Sequence, residues 1–336
     1  MLKQERIKKV NRIDFLVISS TIDFSTDLVC LELKKVQAKF YRLNRDEFNK
    51  HKIFIDISKK TMIISIEGQQ YEAHFEKLKG VYFRAPVFLR TQTKSVLTVE
   101  EQLERNQWNA FLRNLIVFDK AIWMNNPVNT YRAENKLFQL RIAQKSKMAI
   151  PITYVSNFSD MNFDGDKNYV VKAIDTALFY DVENGKEMFT YSTILSGTDL
   201  LEYDLSLAPV FVQEFLHPKI DCRVTYINGR MFPVKILKNG QGITGDWRLQ
   251  KNEIEYSSFQ LPDELLSHID DMMKKLGLNF GGIDLVFSKG EYYFIEVNPT
   301  GEWGWLQNQA GLKISQAIKD ALYGDEKDVR GNNSNY

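Results

Sequence analysis

Two apolar runs near the C-terminal end, GGIDLVF and YYFIEVN, separated by SKGE, constrain the fold of this chain more than any other feature. Both are rich in β-branched and aromatic residues and bounded by turn residues, which predicts a pair of adjacent strands. Glu296 and Asn298 are two apart, so they share one strand face, with Phe294 on that face and Ile295 and Val297 turned into the core. If the loop is Lys289, Gly290 and Glu291, Ser288 opposes Tyr292 and Asp284 opposes Glu296. The apolar face then consists of Ile283, Leu285, Phe287, Tyr293, Ile295 and Val297. A two-residue loop slips the register by one and turns Asp284 to the wrong face, so a shared oxygen cluster demands an odd-length loop or a bulge. Facing carboxylates repel without a cation, and hard oxygen ligands suit Mg²⁺ held jointly with nucleotide phosphates. Ordinary acids on a solvated strand face account for the same spacing without a metal.

The 336 residues exceed the roughly 150 at which one core suffices, so two or three lobes are expected. Lys plus Arg (44) nearly cancel Asp plus Glu (43), which leaves no global field to draw the chain onto nucleic acid or an anionic membrane. Cys30 and Cys222 match neither a metal-site spacing nor a disulfide framework, so a reducing, cytoplasmic setting is expected. The basic N-terminus (Lys3, Arg6, Lys8, Lys9) precedes an apolar stretch, Ile13 to Ile18, that is short and contains Asp14. That stretch is a strand, not a signal peptide, and no run reaches the roughly 18 apolar residues of a membrane helix.

Alternating strand and helix patterns over 12–120 predict an open α/β first lobe, 1–120. Its elements are RIDFLVISS, a helix across Thr26 to Ala38, KFYRLN and VYFRAP, with IFIDIS, TMIISIEG and YEAHF as short antiparallel strands and a helix from Val99 to Phe118. A second lobe, 121–208, opens on AIWMNNP and a helix from Arg132 to Lys147 capped by Asn129 or Thr130. It continues through the loop SDMNFDGDKN and the strand NYVVKAID into an exposed hairpin around Asn184-Gly185. The third lobe, 209–324, carries PVFVQEFL, CRVTYING, RMFPVKIL, a helix from Asp263 to Leu276 and the acidic strand pair. The polar tail, 325–336, is expected to be disordered.

Lys172 sits in an otherwise apolar strand, as a point-charge partner for phosphate or as a snorkelling lysine. Gln213 and Glu214, in FVQEFL, lead a strand into a connector whose backbone could read a purine edge. Arg223 and Arg248 are forks suited to a transferring phosphoryl group; equally, Arg223 could pair with Asp221, and Arg248 could be a surface cation after the Gly245-Asp246-Trp247 turn. The chain has no G-x-x-x-x-G-K-[ST] and no G-x-G-x-x-G phosphate loop. His51, His74, His217 and His268 lack ligand spacing, and Trp303 and Trp305 suit core filling or a cleft wall.

Taken in order, Lys172, QEF, Asp221-x-Arg223, GDWR, GGIDLVF and EVNPTGEW resemble the ATP-grasp superfamily. Within it, Arg84-Ala85-Pro86, WMNNP with Glu134-Asn135-Lys136, and above all IEVNPTGEWGWLQ are similar to the microviridin-type peptide ligases, or graspetide synthetases. The resemblance spans nearly the whole chain. It implies an ATP-grasp fold with an N-terminal pre-grasp domain and central and C-terminal lobes that sandwich ATP. Lys136 and Lys172 would then lie near the phosphates, Gln213, Glu214, Phe215 and Leu216 at the adenine, and Asp284, Glu296 and Asn298 on Mg²⁺. Catalysis would fall to Asp221, Arg223 and Arg248, with negative charge stabilised by the two arginines. The implied substrate is a ribosomal precursor peptide cyclised by side-chain ester or amide bonds. Its leader would be held by the hairpin at Asp181 and Glu183, on a homodimeric enzyme. Two other functions fit the same motifs: a ligase adding amino acids to a protein or small acid, and a regulatory nucleotide-binding module without turnover.

Overall fold

The computed structural model describes residues 10–84, 97–158, 163–175, 178–181, 186–189 and 191–324. The chain opens with β1 (Val10–Arg12), β2 (Phe15–Ser19), α1 (Phe24–Lys35) and β3 (Phe40–Asn44). It continues with β4 (Lys52–Asp56), β5 (Thr61–Ile66), β6 (Gln69–His74), β7 (Gly80–Phe83), α2 (Val99–Asn114) and β8 (Ile122–Met124). Strands β3, β2, β7 and β8 form a parallel sheet in that order, and β1-β6-β5-β4 form a second sheet. A Thr98–Glu101 capping box starts α2.

The helix expected over 132–147 is two helices, α3 (Pro127–Ala133) and α4 (Lys136–Lys145). Asn135 breaks it: its backbone is extended, and its side-chain amide donates to the Tyr131 and Arg132 carbonyls that close α3. Asn126 caps α3, whereas Asn129 reaches across to the Gly277 carbonyl.

The central elements are β9 (Thr153–Ser156), β10 (Asn168–Lys172), β11 (Leu178–Asp181), β12 (Lys186–Phe189), β13 (Thr193–Ser196), α5 (Gly197–Glu202) and β14 (Val210–Glu214). Strands β13-β10-β14-β9 make an antiparallel sheet, and β11 and β12 pair separately, Asp181 opposite Lys186. The run containing β14, grouped by sequence with the third lobe, is therefore hydrogen-bonded inside the central sheet.

The last elements are β15 (Ile220–Ile227), β16 (Arg230–Leu237), β17 (Glu255–Ser258), α6 (Asp263–Leu276), β18 (Phe280–Ser288), β19 (Glu291–Asn298), α7 (Gly304–Gln309) and α8 (Ile314–Tyr323). An antiparallel sheet, β17-β16-β15-β18-β19, has one face covered by α4 and α6. Ile269, Met272, Met273 and Leu276 recur at helical spacing along α6 and meet Cys222, Val224, Ile283, Leu285, Phe294 and Val297 in one core. Gly277, at φ 71°, ends α6 in the left-handed conformation that glycine adopts most readily.

The loop between β18 and β19 is two residues, not three. Lys289 (φ 52°) and Gly290 (φ 85°) form the tight turn, and Ser288 pairs with Glu291 rather than Tyr292. The slip this should cause is undone by a register shift between Asp284 and Leu285 that leaves Ile295 as the extra residue. Leu285 pairs with Phe294, whereas Asp284 pairs with Glu296 and Gly282 with Asn298. Between turn and bulge the expected orientations are inverted: Phe294 is fully buried in the core and Tyr292, not Tyr293, packs against that core, while Ile295 faces the cleft described next.

The candidate active-site cleft

The opposite face of the C-terminal sheet packs at one end, through Ile227, Phe232 and Val234, against α7, α8 and the first lobe; the rest of it looks across a cavity of about 340 Å³ at the inner face of the central sheet. Strand alternation explains the lining. In β10, Tyr169 and Val171 pack outward with Leu200 and Val212, so Val170 and Lys172 face the cleft, as does Gln213 from β14. From the opposite wall come Asp221 and Arg223 on β15, Asp284 on β18, and Glu296 and Asn298 on β19.

Each of the two facing carboxylates has a cation on it. Nη1 of Arg223 donates to both carboxylate oxygens of Asp284, at 2.7 and 2.8 Å. Lys136, the first residue of α4, lies 3.1 Å from Oε2 of Glu296, and Asn298 donates to Oε1 of Glu296 at 3.2 Å. Burial raises the pKa of Asp284 despite Arg223, and repulsion from Glu296 adds to the rise. Burial pushes Glu296 the same way, but Lys136 and Lys172 outweigh it and hold Glu296 at about 2. Lys172 is lowered to about 8, first by burial and then by the neighbouring Lys136, against the pull of Glu296.

Arg223 does not pair with Asp221. Lys219 does, at 2.5 Å, and burial still leaves the Asp221 carboxyl raised. Arg248 pairs with Asp246 through Nη2 at 2.6 Å, and that hydrogen bond raises the arginine's pKa. Gln213 donates to Oγ1 of Thr153 at 2.8 Å, and Glu214, Phe215 and Leu216 follow it along the cavity edge. Trp303 is core, its indole N–H on the Tyr82 hydroxyl. Trp305 lines the cavity, with ring centroids 4.8 Å from Tyr256 and 6.0 Å from Trp247.

Twelve predicted residues thus meet at one cleft: Lys136, Lys172, Gln213, Glu214, Phe215, Leu216, Asp221, Arg223, Arg248, Asp284, Glu296 and Asn298. Asp181 ends β11, and Glu183 lies outside the described residues. Sequence reasoning missed Lys219 and Asp246; Lys219, just before β15, is two residues from Asp221 and four from Arg223, a spacing open to reading. It also left Arg84 without a role. That buried guanidinium donates to the Thr300 and Gly301 carbonyls at 2.7 Å each, and to Asp23 and Glu302, tying β7 to the loop that leaves β19.

No family model matches this chain, and no curated protein does. Among solved structures, it is similar to macrocyclase MdnC bound with precursor peptide MdnA from Microcystis aeruginosa MRC, at 22% identity and a TM-score of 0.77 over 92% of this chain and 99% of that one. It is also similar to a Chryseobacterium gregarium RiPP-associated ATP-grasp ligase in complex with ADP and a leader and core peptide, at 24% identity, TM-score 0.78, over 94% and 98%. Macrocyclase MdnB from Microcystis aeruginosa MRC is 27% identical, with a TM-score of 0.70 over 94% and 99%. The chain has the ATP-grasp fold. The likeness to these structures extends over nearly the whole length of each chain, as the motifs imply.

Proposed function

We propose that the protein is an ATP- and Mg²⁺-dependent macrocyclising ligase. It phosphorylates Asp or Glu side chains of a ribosomally made precursor peptide and closes ester bonds to Thr or Ser, or amide bonds to Lys. The observation that carries this reading is the opposition of Asp284 and Glu296 in a cleft that also holds Lys136, Lys172, Arg223 and Arg248. An oxygen-only set of two half-buried carboxylates and an amide fits Mg²⁺, which when bound neutralises charge on the nucleotide phosphates. Asp284, Glu296 and Asn298 would hold it. Lys136 and Lys172 would face the phosphates, with Gln213 to Leu216 at the adenine.

Arg223 and Arg248 stabilise negative charge at the phosphoryl group as it passes to the peptide carboxylate. Asp221, its pKa raised by burial, would take the proton of the attacking hydroxyl or amine as phosphate leaves. The β11–β12 hairpin, with Asp181 and Glu183, would hold the leader, on a homodimer in the cytoplasm. Incubation with ATP, Mg²⁺ and the precursor is expected to release ADP and lower the peptide mass by one water per ring. An unchanged mass with an intact leader overturns the proposal.

The depressed Lys172 gives a pH dependence. Above about pH 8 this lysine is mostly neutral in the free protein, yet phosphate favours its charged form, so nucleotide binding takes up a proton. Affinity for ADP is therefore expected to weaken as pH rises past that point, approaching roughly tenfold per pH unit. Titrations of wild type and Lys172→Met by calorimetry check this, the variant losing the slope.

A further inference from the structure

Among the described residues, the last strand of the C-terminal sheet, β19, has no strand partner on its outer side. Its exposed backbone groups are nevertheless met. The Phe294 N–H donates to the Ala149 carbonyl at 2.8 Å, before the bulge. Beyond the bulge the partner is a side chain: Oε1 of Gln139 accepts from the Val297 N–H at 2.9 Å, and Nε2 of Gln139 donates to the Val297 carbonyl at 2.8 Å. Nε2 also donates to the Ala133 carbonyl at 2.5 Å, and the residue is 2% exposed. A primary amide pairs an acceptor with a donor on one planar group, so it can replace the missing strand at a single residue.

Val297 lies between Glu296 and Asn298. Pinning its N–H and carbonyl fixes the backbone from which both side chains project, immediately after the irregular Ile295. The same helix acts twice, because Lys136, one turn earlier on α4, meets the Glu296 carboxylate itself. Groups behind a metal ligand set its orientation, and their loss typically weakens metal affinity by roughly 10- to 100-fold.

We infer that Gln139 is a positioning residue for the Mg²⁺ site: its amide stands in for a neighbouring strand at Val297 and holds Glu296 and Asn298 convergent. This rests on the magnesium reading of the cleft. The test is calorimetric titration of ADP into the apoprotein, in EDTA and across a Mg²⁺ series, with thermal unfolding of each variant. Gln139→Met keeps the length but neither polar atom, and is expected to raise half-saturating Mg²⁺ by about tenfold or more while Mg²⁺-free ADP affinity stays within about twofold. Gln139→Glu keeps the acceptor for the Val297 N–H and should fall between the two. A folded Gln139→Met with wild-type Mg²⁺ dependence, or with equal losses in EDTA and in Mg²⁺, overturns the inference. Should Gln139→Met not fold, wild-type Mg²⁺ dependence in Gln139→Glu does the same. A wild-type protein whose ADP binding ignores Mg²⁺ overturns the site reading and the inference together.

Discussion

Replacing Glu296 with glutamine is expected to leave a folded protein that still binds its peptide but turns over about a thousandfold more slowly. The side chain keeps its shape, and Asn298 can still donate to the amide oxygen, so packing at β19 changes little. What is lost is a full negative charge. With Lys136 and Lys172 beside it, Glu296 stays ionised down to about pH 2, so at any working pH the wild-type site offers Mg²⁺ a carboxylate. A neutral amide there gives up about 4 kcal/mol of charge stabilisation on the phosphoryl group, which is about three decades in rate. ADP release measured beside peptide anisotropy separates turnover from binding. Wild-type turnover would remove Glu296 from the metal set, and lost peptide binding would mean that the substitution reaches beyond the nucleotide end.

Most of the cleft was legible because strand alternation is a strong signal. Lys172, Gln213, Asp221, Arg223, the carboxylates Asp284 and Glu296 and the amide Asn298 occupy positions that period two turns to one side, and the structure brings them to one cavity. The register was legible only as a condition. A hairpin of either length could follow GGIDLVFS, and consecutive apolar residues, Phe294 and Ile295, gave no mark of which would be extruded; burial of Phe294 against Leu285 decided it. The break at Glu134-Asn135 was hidden because helical periodicity runs through it, and only the Asn135 side chain bonding back to α3 reveals it. The place of β14 in the central sheet depends on pairings with residues 39 to 60 positions earlier, which local pattern does not encode. Gln139 reads in sequence as one polar residue on an amphipathic helix; its role exists only once β19 is an edge.

The other large effect is expected at Arg223, and it should be larger without metal than with it. The guanidinium is enclosed. A Cβ at Gly282 would lie 2.9 Å from its Cζ, and one at Gly301 would lie 3.3 Å from Nη2 and 3.1 Å from the Cβ of Asn298. Arg223→Met leaves the half-buried Asp284 beside Glu296 with no cation on it, a loss approaching the roughly 3–5 kcal/mol of a fully buried pair that loses one partner. The sign of the pH dependence follows. The pKa of Asp284 is already above its unfolded value, and removing Arg223 raises it further, so the unfolded state gives up that proton first. Stability of the variant should then fall as pH rises from the unfolded carboxylate range through the raised folded value, and be lowest with Asp284 ionised. A divalent cation between Asp284 and Glu296 replaces the missing charge, so Mg²⁺ should raise the unfolding midpoint of Arg223→Met more than that of wild type. Turnover should still drop by about 10²–10³, because a cation held near the carboxylates does not reproduce a fork aimed at the phosphoryl oxygens. Thermal unfolding across a pH series that starts in the unfolded carboxylate range and runs upward, with and without Mg²⁺, reads the first part and ADP release the second. A pH-independent loss that Mg²⁺ leaves untouched would mean that Arg223 serves packing between its two glycines rather than the charge balance of the metal end.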